Sequence, residues 1–121
     1  VPCRVLDTRV GGSVLGPNTE LAQQVTGLGN ACQVEPGATA VEASVSAVEP
    51  ASSGFARLWP TGGAAATATF VNYTKGQGTT NTGSISLSTT GSVTLRNFGG
   101  TSDFVIDVQG YWKAQSTSAA S

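Results

Sequence analysis

The strongest constraint on the fold is a strict alternation of apolar and polar residues near the C-terminal end, over residues 104–109. In an extended chain Phe104, Ile106 and Val108 share one face, because successive side chains of a strand point to opposite sides. On a helix the same residues would be spread around the axis. The alternation therefore predicts a β-strand with one fully apolar face, and Asp107 lies in the middle of the other face.

Asp107 needs a positively charged partner, and the other end of the chain offers two. Residues 3–9 read Cys-Arg-Val-Leu-Asp-Thr-Arg and contain Arg4 and Arg9. We expect the first and last strands to be neighbours, with Asp107 paired to one of these arginines and Asp7 capping a turn. If that pair were buried, removing one partner would cost about 3 to 5 kcal/mol. A second interpretation, in which the arginines bind the carboxylate of an acidic sugar or peptide, has less support from the pattern.

Alternation and β-branched residues predict further strands along the chain, separated by turn residues. The segment 19–26 also has apolar residues at helical spacing, but its alternation favours a strand. We expect residues 84–88 and 93–96 to form a hairpin, and residues 75–83 to form a long polar loop. The predicted strands are 3–9, 19–26, 38–48, 55–59, 69–73, 84–88, 93–96 and 104–112.

About eight strands at roughly ten-residue spacing, with no convincing helix, predict an all-β fold, a two-sheet β-sandwich of the jelly-roll type. The length of 121 residues is that of one domain. We assign this domain to residues 1–113. Residues 114–121 are rich in Ala, Ser and Thr and have the composition of a linker.

Charge and hydropathy argue against two classes of partner. Charged residues make up 11% of the chain and the formal net charge is −1, so no basic surface is expected to attract nucleic acid. No apolar run approaches the length of about 18 residues that a membrane span requires, and we expect no membrane insertion. Because the sequence has no methionine and no signal core, we expect a mature or excised piece of a longer secreted protein.

Cys3 and Cys32 are the two cysteines of the chain. They can form a disulfide in an oxidising compartment or remain as two buried thiols in a reducing one. Low charge and a surface rich in threonine favour the disulfide. It would close a loop of about 30 residues, stabilise the fold by roughly 3 to 4 kcal/mol and anchor the N-terminal strand. Cys3, Cys32, Arg4, Arg9 and Asp107 are therefore assigned structural roles.

The sequence argues against an enzyme. It contains no histidine, so nucleophilic triads and the usual zinc sites cannot be assembled. The aspartates are widely scattered, which argues against a calcium site, and the spacing of the glutamates does not favour paired carboxylates for glycoside hydrolysis. We expect no catalytic residues, no metal and no cofactor.

Aromatic residues make the positive case for binding, since exposed flat rings stack on the apolar faces of sugars. Packing in the core is the competing interpretation, and the exposure of the rings separates the two. Outward hydroxyls at Ser84, Ser86 and Ser88 could add a flat recognition surface, although such residues are ordinary on the wet side of a sheet. The candidate ligand contacts are the aromatic residues Trp59, Tyr73, Tyr111 and Trp112 and the loop residues Lys75, Gln77 and Asn81.

Several motifs together resemble a recurring all-β accessory module of secreted bacterial proteins, common in actinobacteria. They are Pro-Cys-Arg-Val-Leu-Asp-Thr-Arg at 2–9, Val-Thr-Gly at 25–27, Pro60, Asn72-Tyr73, Gly76-Gln77, Asn81, and Asp-Val-Gln-Gly-Tyr-Trp at 107–112. Modules of this kind are attached to secreted hydrolases and surface proteins, and no activity is assigned to the pattern. This chain departs from it at Trp112, where relatives often have Phe, and at Ser102-Asp103, where they often carry a histidine.

The resemblance implies an extracellular location and an accessory role. We therefore expect a non-catalytic extracellular module that binds a polysaccharide or cell-wall polymer and belongs to a larger secreted protein. The alternative is a structural spacer or adhesion domain that acts through contacts with other proteins. A planar row that includes Trp59, Tyr73 or Trp112 at more than about a third exposure favours the first. Burial of all three rings, with an apolar patch elsewhere, favours the second.

Overall fold

The structure is a computed structural model that describes residues 3–10, 14–28 and 34–113. In these ranges the chain forms eight β-strands and no helix, which confirms the all-β prediction. The strands are β1 (Cys3–Asp7), β2 (Thr19–Gln24), β3 (Ala38–Val48), β4 (Gly54–Pro60), β5 (Val71–Tyr73), β6 (Thr79–Ser86), β7 (Ser92–Phe98) and β8 (Asp103–Lys113). Cys32, and with it the predicted disulfide, and the tail 114–121 lie outside the described residues.

The strands form two antiparallel sheets of four, and the sheets pack as a β-sandwich. The first sheet has the order β1-β8-β3-β6, and the second has the order β2-β7-β4-β5. Apolar residues of both sheets make one buried cluster between them. Its members include Val41, Ala43, Val45, Ala47, Ile85, Phe104, Ile106 and Val108 from the first sheet and Ala56, Leu58, Val71, Val93 and Leu95 from the second.

The last strand, β8, occupies the interior of the first sheet between β1 and β3. Phe104, Ile106 and Val108 are 0%, 1% and 4% exposed, as the alternation predicted. The first and last strands are neighbours, with Arg4 opposite Asp107. The register of this pair shifts between Arg4 and Leu6, so β1 carries a bulge there.

Two predictions about the stretch 75–96 are wrong. The polar loop is short, because β6 begins at Thr79 and its residues 79–83 pair with residues 43–47 of β3. Strands β6 and β7 do not form a hairpin, since β6 belongs to the first sheet and β7 to the second. Period-two alternation specifies which face of each strand is buried but not which sheet the strand joins, so the sequence pattern fits both connections.

The predicted strand at 19–26 is confirmed as β2, which pairs with β7. Pro60 is the last residue of β4, where a missing amide hydrogen interrupts the ladder least. No helix of the described chain is long and apolar enough to cross a membrane.

Candidate functional site

The outer face of the first sheet carries rows of hydroxyl groups. Residues 40, 42, 44 and 46 of β3 point away from the core, because the alternate residues 41, 43, 45 and 47 are buried in it. Antiparallel pairing sets the side chains of β6 beside them. We call this surface the hydroxyl face; its residues on β3 and β6 are Ala40, Glu42, Ser44, Ser46, Thr80, Thr82, Ser84 and Ser86.

Hydrogen bonds between the strands hold these side chains in fixed positions. Ser44 and Thr82 share a bond of 2.7 Å between their hydroxyl oxygens, and Ser46 and Thr80 share another of 2.7 Å. The Ser84 hydroxyl donates to Glu42 Oε1 over 3.2 Å. A hydroxyl has one donor and two acceptor positions, so each of these oxygens keeps hydrogen-bonding capacity toward solvent. The face is therefore an ordered array of donors and acceptors.

Gln109 extends this array toward β8. Its side-chain nitrogen donates to the Ser44 hydroxyl over 2.6 Å, although the two residues are far apart in sequence. The backbone register of β3 and β8 shifts between Glu42 and Ala43. Beyond that irregularity, Gly110 is opposite Glu42 and Trp112 is opposite Ala40. Trp112 thus lies at one end of the hydroxyl face.

The surface beside Trp112 is open. The Trp112 side chain is 50% exposed, and a Cβ added at Gly110 would meet no atom within 4 Å. Ala40, across from Trp112, contributes only a methyl group to the same face. The indole is therefore flanked by small residues, and Glu42 lies in the next row of the same face. This arrangement can receive a flat ring, with polar groups next to it.

Tyr111 lies on the opposite side of β8, across from the buried Val41. Its ring is 37% exposed, and its hydroxyl donates to Glu35 Oε2 over 2.8 Å. This hydrogen bond raises the pKa of Tyr111 above the usual value for a phenol. Glu35 also lies 3.8 Å from Lys113 Nζ. Tyr111 therefore fastens the end of β8 to the segment before β3 and is not part of the hydroxyl face.

The charged residues at the chain ends pair with one another. Arg4 donates from Nε to Asp107 Oδ1 over 2.8 Å and from Nη2 to Asp107 Oδ2 over 3.2 Å, which raises the pKa of Arg4. Arg9 donates from Nε and Nη2 to the two oxygens of Asp7, each over 2.9 Å. The Arg9 backbone amide also donates to Asp7 Oδ1, so Asp7 caps the turn after β1. Each arginine is engaged by a carboxylate of the chain.

The Arg4–Asp107 ion pair is more exposed than the buried pair considered from the sequence. The side chains of Arg4 and Asp107 are 51% and 26% exposed. The cost of breaking a buried pair therefore does not apply, and solvent screening leaves the pair a small contribution to stability. The pair orients β1 on β8 more than it stabilises the fold.

Two of the sequence-predicted aromatic contacts are buried. Trp59 is 7% exposed and Tyr73 is 3% exposed, so neither ring has a free face for stacking. Burial raises the pKa of Tyr73, whose hydroxyl donates to the Asn97 side chain. The planar row of aromatic residues expected for a carbohydrate site is absent, and Trp112 alone keeps the required exposure among the three rings considered.

The predicted loop contacts lie away from Trp112. Lys75 and Gln77 are exposed in the connection between β5 and β6, at the end of β6 that pairs with Ala47. Trp112 lies at the other end, level with Ala40. Asn81 is opposite the buried Val45 and donates to the backbone oxygen of Phe70 over 2.7 Å. The structure does not bring these three residues together with Trp112.

Sequence reasoning missed Glu42, Thr80, Thr82 and Gln109 as members of one surface. Apolar and polar residues alternate over 41–47 in the sequence, which puts Glu42, Ser44 and Ser46 on one face, so part of the signal is present there. Thr80 and Thr82 were assigned to a loop, which hid the matching row on β6. Only the register between β3, β6 and β8 joins the rows.

Apart from the hydroxyl face, the chain has a concave surface between the edge strands β1 and β2. It is a cleft of about 590 Å³ with largely apolar walls. Val10 and Val14 at this cleft are 76% and 49% exposed. The lining residues are Val5, Leu6, Asp7, Thr8, Val10, Val14, Leu15, Gly16, Thr19, Glu20 and Leu21.

The described residues contain no group of three or more His, Cys, Asp and Glu side chains placed to hold a metal ion. Comparison with known proteins finds no matching family model and no matching curated protein. Over the residues that the structure describes, the chain is an all-β sandwich that carries the hydroxyl face on the outer side of its first sheet.

Proposed function

We propose that this chain is a non-catalytic extracellular module that binds a polysaccharide or cell-wall polymer across the hydroxyl face. The observation that carries the proposal is the half-exposed Trp112, set beside the open surface over Gly110 and one row away from the polar side chains of Glu42 and Ser84. The apolar face of a sugar ring can stack on the indole. The hydroxyl groups of the same sugar can form hydrogen bonds with Glu42 and Ser84.

The dimensions of the face favour a polymer over a single sugar. From Ala40 to Ser46 the strand β3 extends about 20 Å at roughly 3.3 Å per residue. Stacking of one sugar ring on Trp112 contributes about 1 kcal/mol in addition to the energy of burying apolar surface. A single stacked ring is therefore too little for useful affinity. Further units along the row of hydroxyls add hydrogen bonds, so binding grows with the length of the chain that the face contacts.

The extracellular and accessory roles have separate support. The motifs at residues 2–9 and 107–112 resemble a recurring module of secreted bacterial proteins. The low content of charged residues and the cysteine pair expected to form a disulfide agree with secretion.

We also infer that the sandwich is a jelly roll. The strand orders β1-β8-β3-β6 and β2-β7-β4-β5 are those of a chain that folds as one long hairpin and is then rolled into two sheets. Lectin domains are among the proteins with this architecture, although such an analogy is weaker support than the face itself.

Retention on immobilised polysaccharides at moderate salt tests the proposal. The wild-type chain is expected to be retained on at least one polymer, and Trp112→Ala is expected to lose most of that retention. Val14→Ala is the matched control, because Val14 is 49% exposed against 50% for Trp112 and lies at the cleft instead of the hydroxyl face. No retention of the wild-type chain on any polymer, or equal loss in both variants, would overturn it.

The second candidate function is a spacer or adhesion domain that acts through protein contacts. The exposed Val10 and Val14 at the apolar cleft favour it. In that case Trp112→Ala behaves as the wild-type chain, and the double variant Val10→Ser, Val14→Ser loses association with another domain of the parent protein. Sedimentation of purified domains, alone and mixed, distinguishes the two outcomes.

A further inference from the structure

The outer face of the second sheet places two arginines side by side. Arg57 of β4 is directly opposite Arg96 of β7. Residues opposite each other in an antiparallel pair have Cβ atoms roughly 5 Å apart, and like charges in this position destabilise the sheet. The chain has six Lys and Arg residues in all, and two of them lie side by side here. Their mutual repulsion calls for negative charge nearby.

Two phenylalanine rings support both guanidinium groups. Phe55 and Phe98 stack with ring centroids 4.9 Å apart and planes 12° apart. The Arg57 Cζ atom lies 5.2 Å from the Phe55 centroid and 5.1 Å from the Phe98 centroid. The Arg96 Cζ atom lies 5.1 Å from the Phe98 centroid. Cation–π contacts of this length hold both groups near one ring and restrict their motion.

The negative charge that the described chain supplies to this pair is too small. Arg96 donates from Nη1 to Glu20 Oε2 over 2.9 Å. In the parts of the chain that the structure describes, no carboxylate lies within 4.0 Å of Arg57. One carboxylate thus serves two cations.

Arg57 also has hydrogen-bonding capacity that the surrounding residues do not use. Its Nη1 atom makes one long bond of 3.5 Å to the backbone oxygen of Ala66. Its Nε atom is buried and lacks a hydrogen-bond partner. The protein therefore supplies no acceptor to Arg57 Nε and only one distant acceptor to Nη1. The Arg57 side chain as a whole is half-buried, so it is not closed off from solvent.

We propose that Arg57 and Arg96 form a binding site for a carboxylate group, on the sheet opposite the hydroxyl face. A planar carboxylate matches the fork of a guanidinium and can accept two parallel hydrogen bonds from it. Its charge balances the second arginine, and the half-buried surroundings strengthen the pairing relative to open water. The carboxylate can belong to a free organic acid or to an acidic sugar. The site does not depend on polymer binding at the hydroxyl face.

Nuclear magnetic resonance of the ¹⁵N-labelled chain tests this site through the arginine Nε–Hε signals. The chain is titrated with sodium acetate, sodium glucuronate and sodium sulfate, with chloride keeping the ionic strength constant. We expect saturable shifts at Arg57 and Arg96 with both carboxylates. A tighter response to glucuronate assigns the site to an acidic sugar, and equal responses assign it to a simple carboxylate. Tighter binding of sulfate than of either carboxylate would overturn the assignment.

Variants separate the site from a general effect of charge. Arg57→Gln is expected to weaken carboxylate binding roughly tenfold or more, since charged hydrogen bonds are lost. Arg57→Lys keeps the charge but not the fork and should weaken binding to an intermediate degree. Arg9→Gln removes one positive charge elsewhere on the protein and should leave the affinity for carboxylate unchanged. If Arg57→Gln does not fold, Arg96→Gln serves in its place. Linear shifts at every arginine, or unchanged affinity in the folded variant, would refute the site.

Discussion

Asn97 shows how a single side chain organises the second sheet. It is 0% exposed, accepts a hydrogen bond from the Tyr73 hydroxyl and donates to the backbone oxygens of Leu15 and Gly100 over 3.1 Å and 2.7 Å. It thus links β7 to β5 and to two loops. Buried polar groups of this kind are tolerated because every donor and acceptor finds a partner.

Replacing Asn97 should destabilise the fold strongly. In Asn97→Ala the Tyr73 hydroxyl and the backbone oxygens of Leu15 and Gly100 each lose one buried hydrogen bond, although each keeps another partner. We expect the loss of these three bonds to lower the free energy of unfolding by about 2 to 4 kcal/mol. Urea unfolding followed by tryptophan fluorescence measures this loss. Asn72→Ala, at an exposed position of β5, is the control and should change stability little. Equal effects of the two variants would contradict the role of the network.

Asp7 makes the stability depend on pH in the acid range. Hydrogen bonds from the Arg9 side chain lower the pKa of Asp7 from 3.8 to about 2. Because the pKa is lower in the folded state than in the unfolded state, the stabilisation is complete above about pH 4 and disappears as the pH falls through about 2. Asp7→Asn should therefore lower the melting temperature near neutral pH and lower it much less at about pH 2. An equal difference in melting temperature between the wild type and the variant at both pH values would show that the charge of Asp7 does not contribute.

The pairing of β1 with β8 is the element that joins the chain ends, and its ion pair is half-exposed. Asp107→Asn should lower the free energy of unfolding only slightly, and high salt should reduce the difference further. A double-mutant cycle with Arg4→Gln isolates the pairwise contribution. A coupling of about 3 kcal/mol would mean that the pair behaves as a buried one.

Among the strands, β6 was the hardest to predict. Its first half, residues 79–83, consists of Thr, Asn and Gly, which reads as a loop because it contains no apolar residue to bury. In the fold, β3 supplies a complete ladder of partners for this stretch. Tertiary pairing thus overrides a weak local preference, as it often does at the edge of a sheet.

At the scale of the whole molecule, we expect the cysteine pair to stabilise the fold through a disulfide. If Cys3 and Cys32 are bonded, reduction should lower the free energy of unfolding by about 3 kcal/mol and the melting temperature by roughly 10 °C. Thermal unfolding with and without reductant measures this, and Cys3→Ser should not respond to the reductant. An unchanged melting temperature together with two titratable thiols would reject the disulfide.

The candidate site could be predicted only in part. Trp112 ends the predicted strand 104–112, where a side chain lies at the margin of the core, and the alternation over residues 41–47 marks one face of β3 as polar. The burial of Trp59 and Tyr73 could not, because an aromatic residue in a strand fits a core and a binding surface equally well. The pairing of Arg57 with Arg96 was also invisible, since these residues lie 39 positions apart and meet only through the register of β4 and β7.

The sequence alone was sufficient for the all-β class, for the buried face of β8 and for the meeting of the first and last strands. Those features follow from period-two alternation within each strand and from opposite charges at the two chain ends, and both can be seen in the sequence itself. The tertiary structure decided which sheet each strand joins, which rings are exposed and which polar rows lie side by side. These depend on register and on the packing of one sheet over the other, and many assignments of the same strands satisfy the alternation equally well.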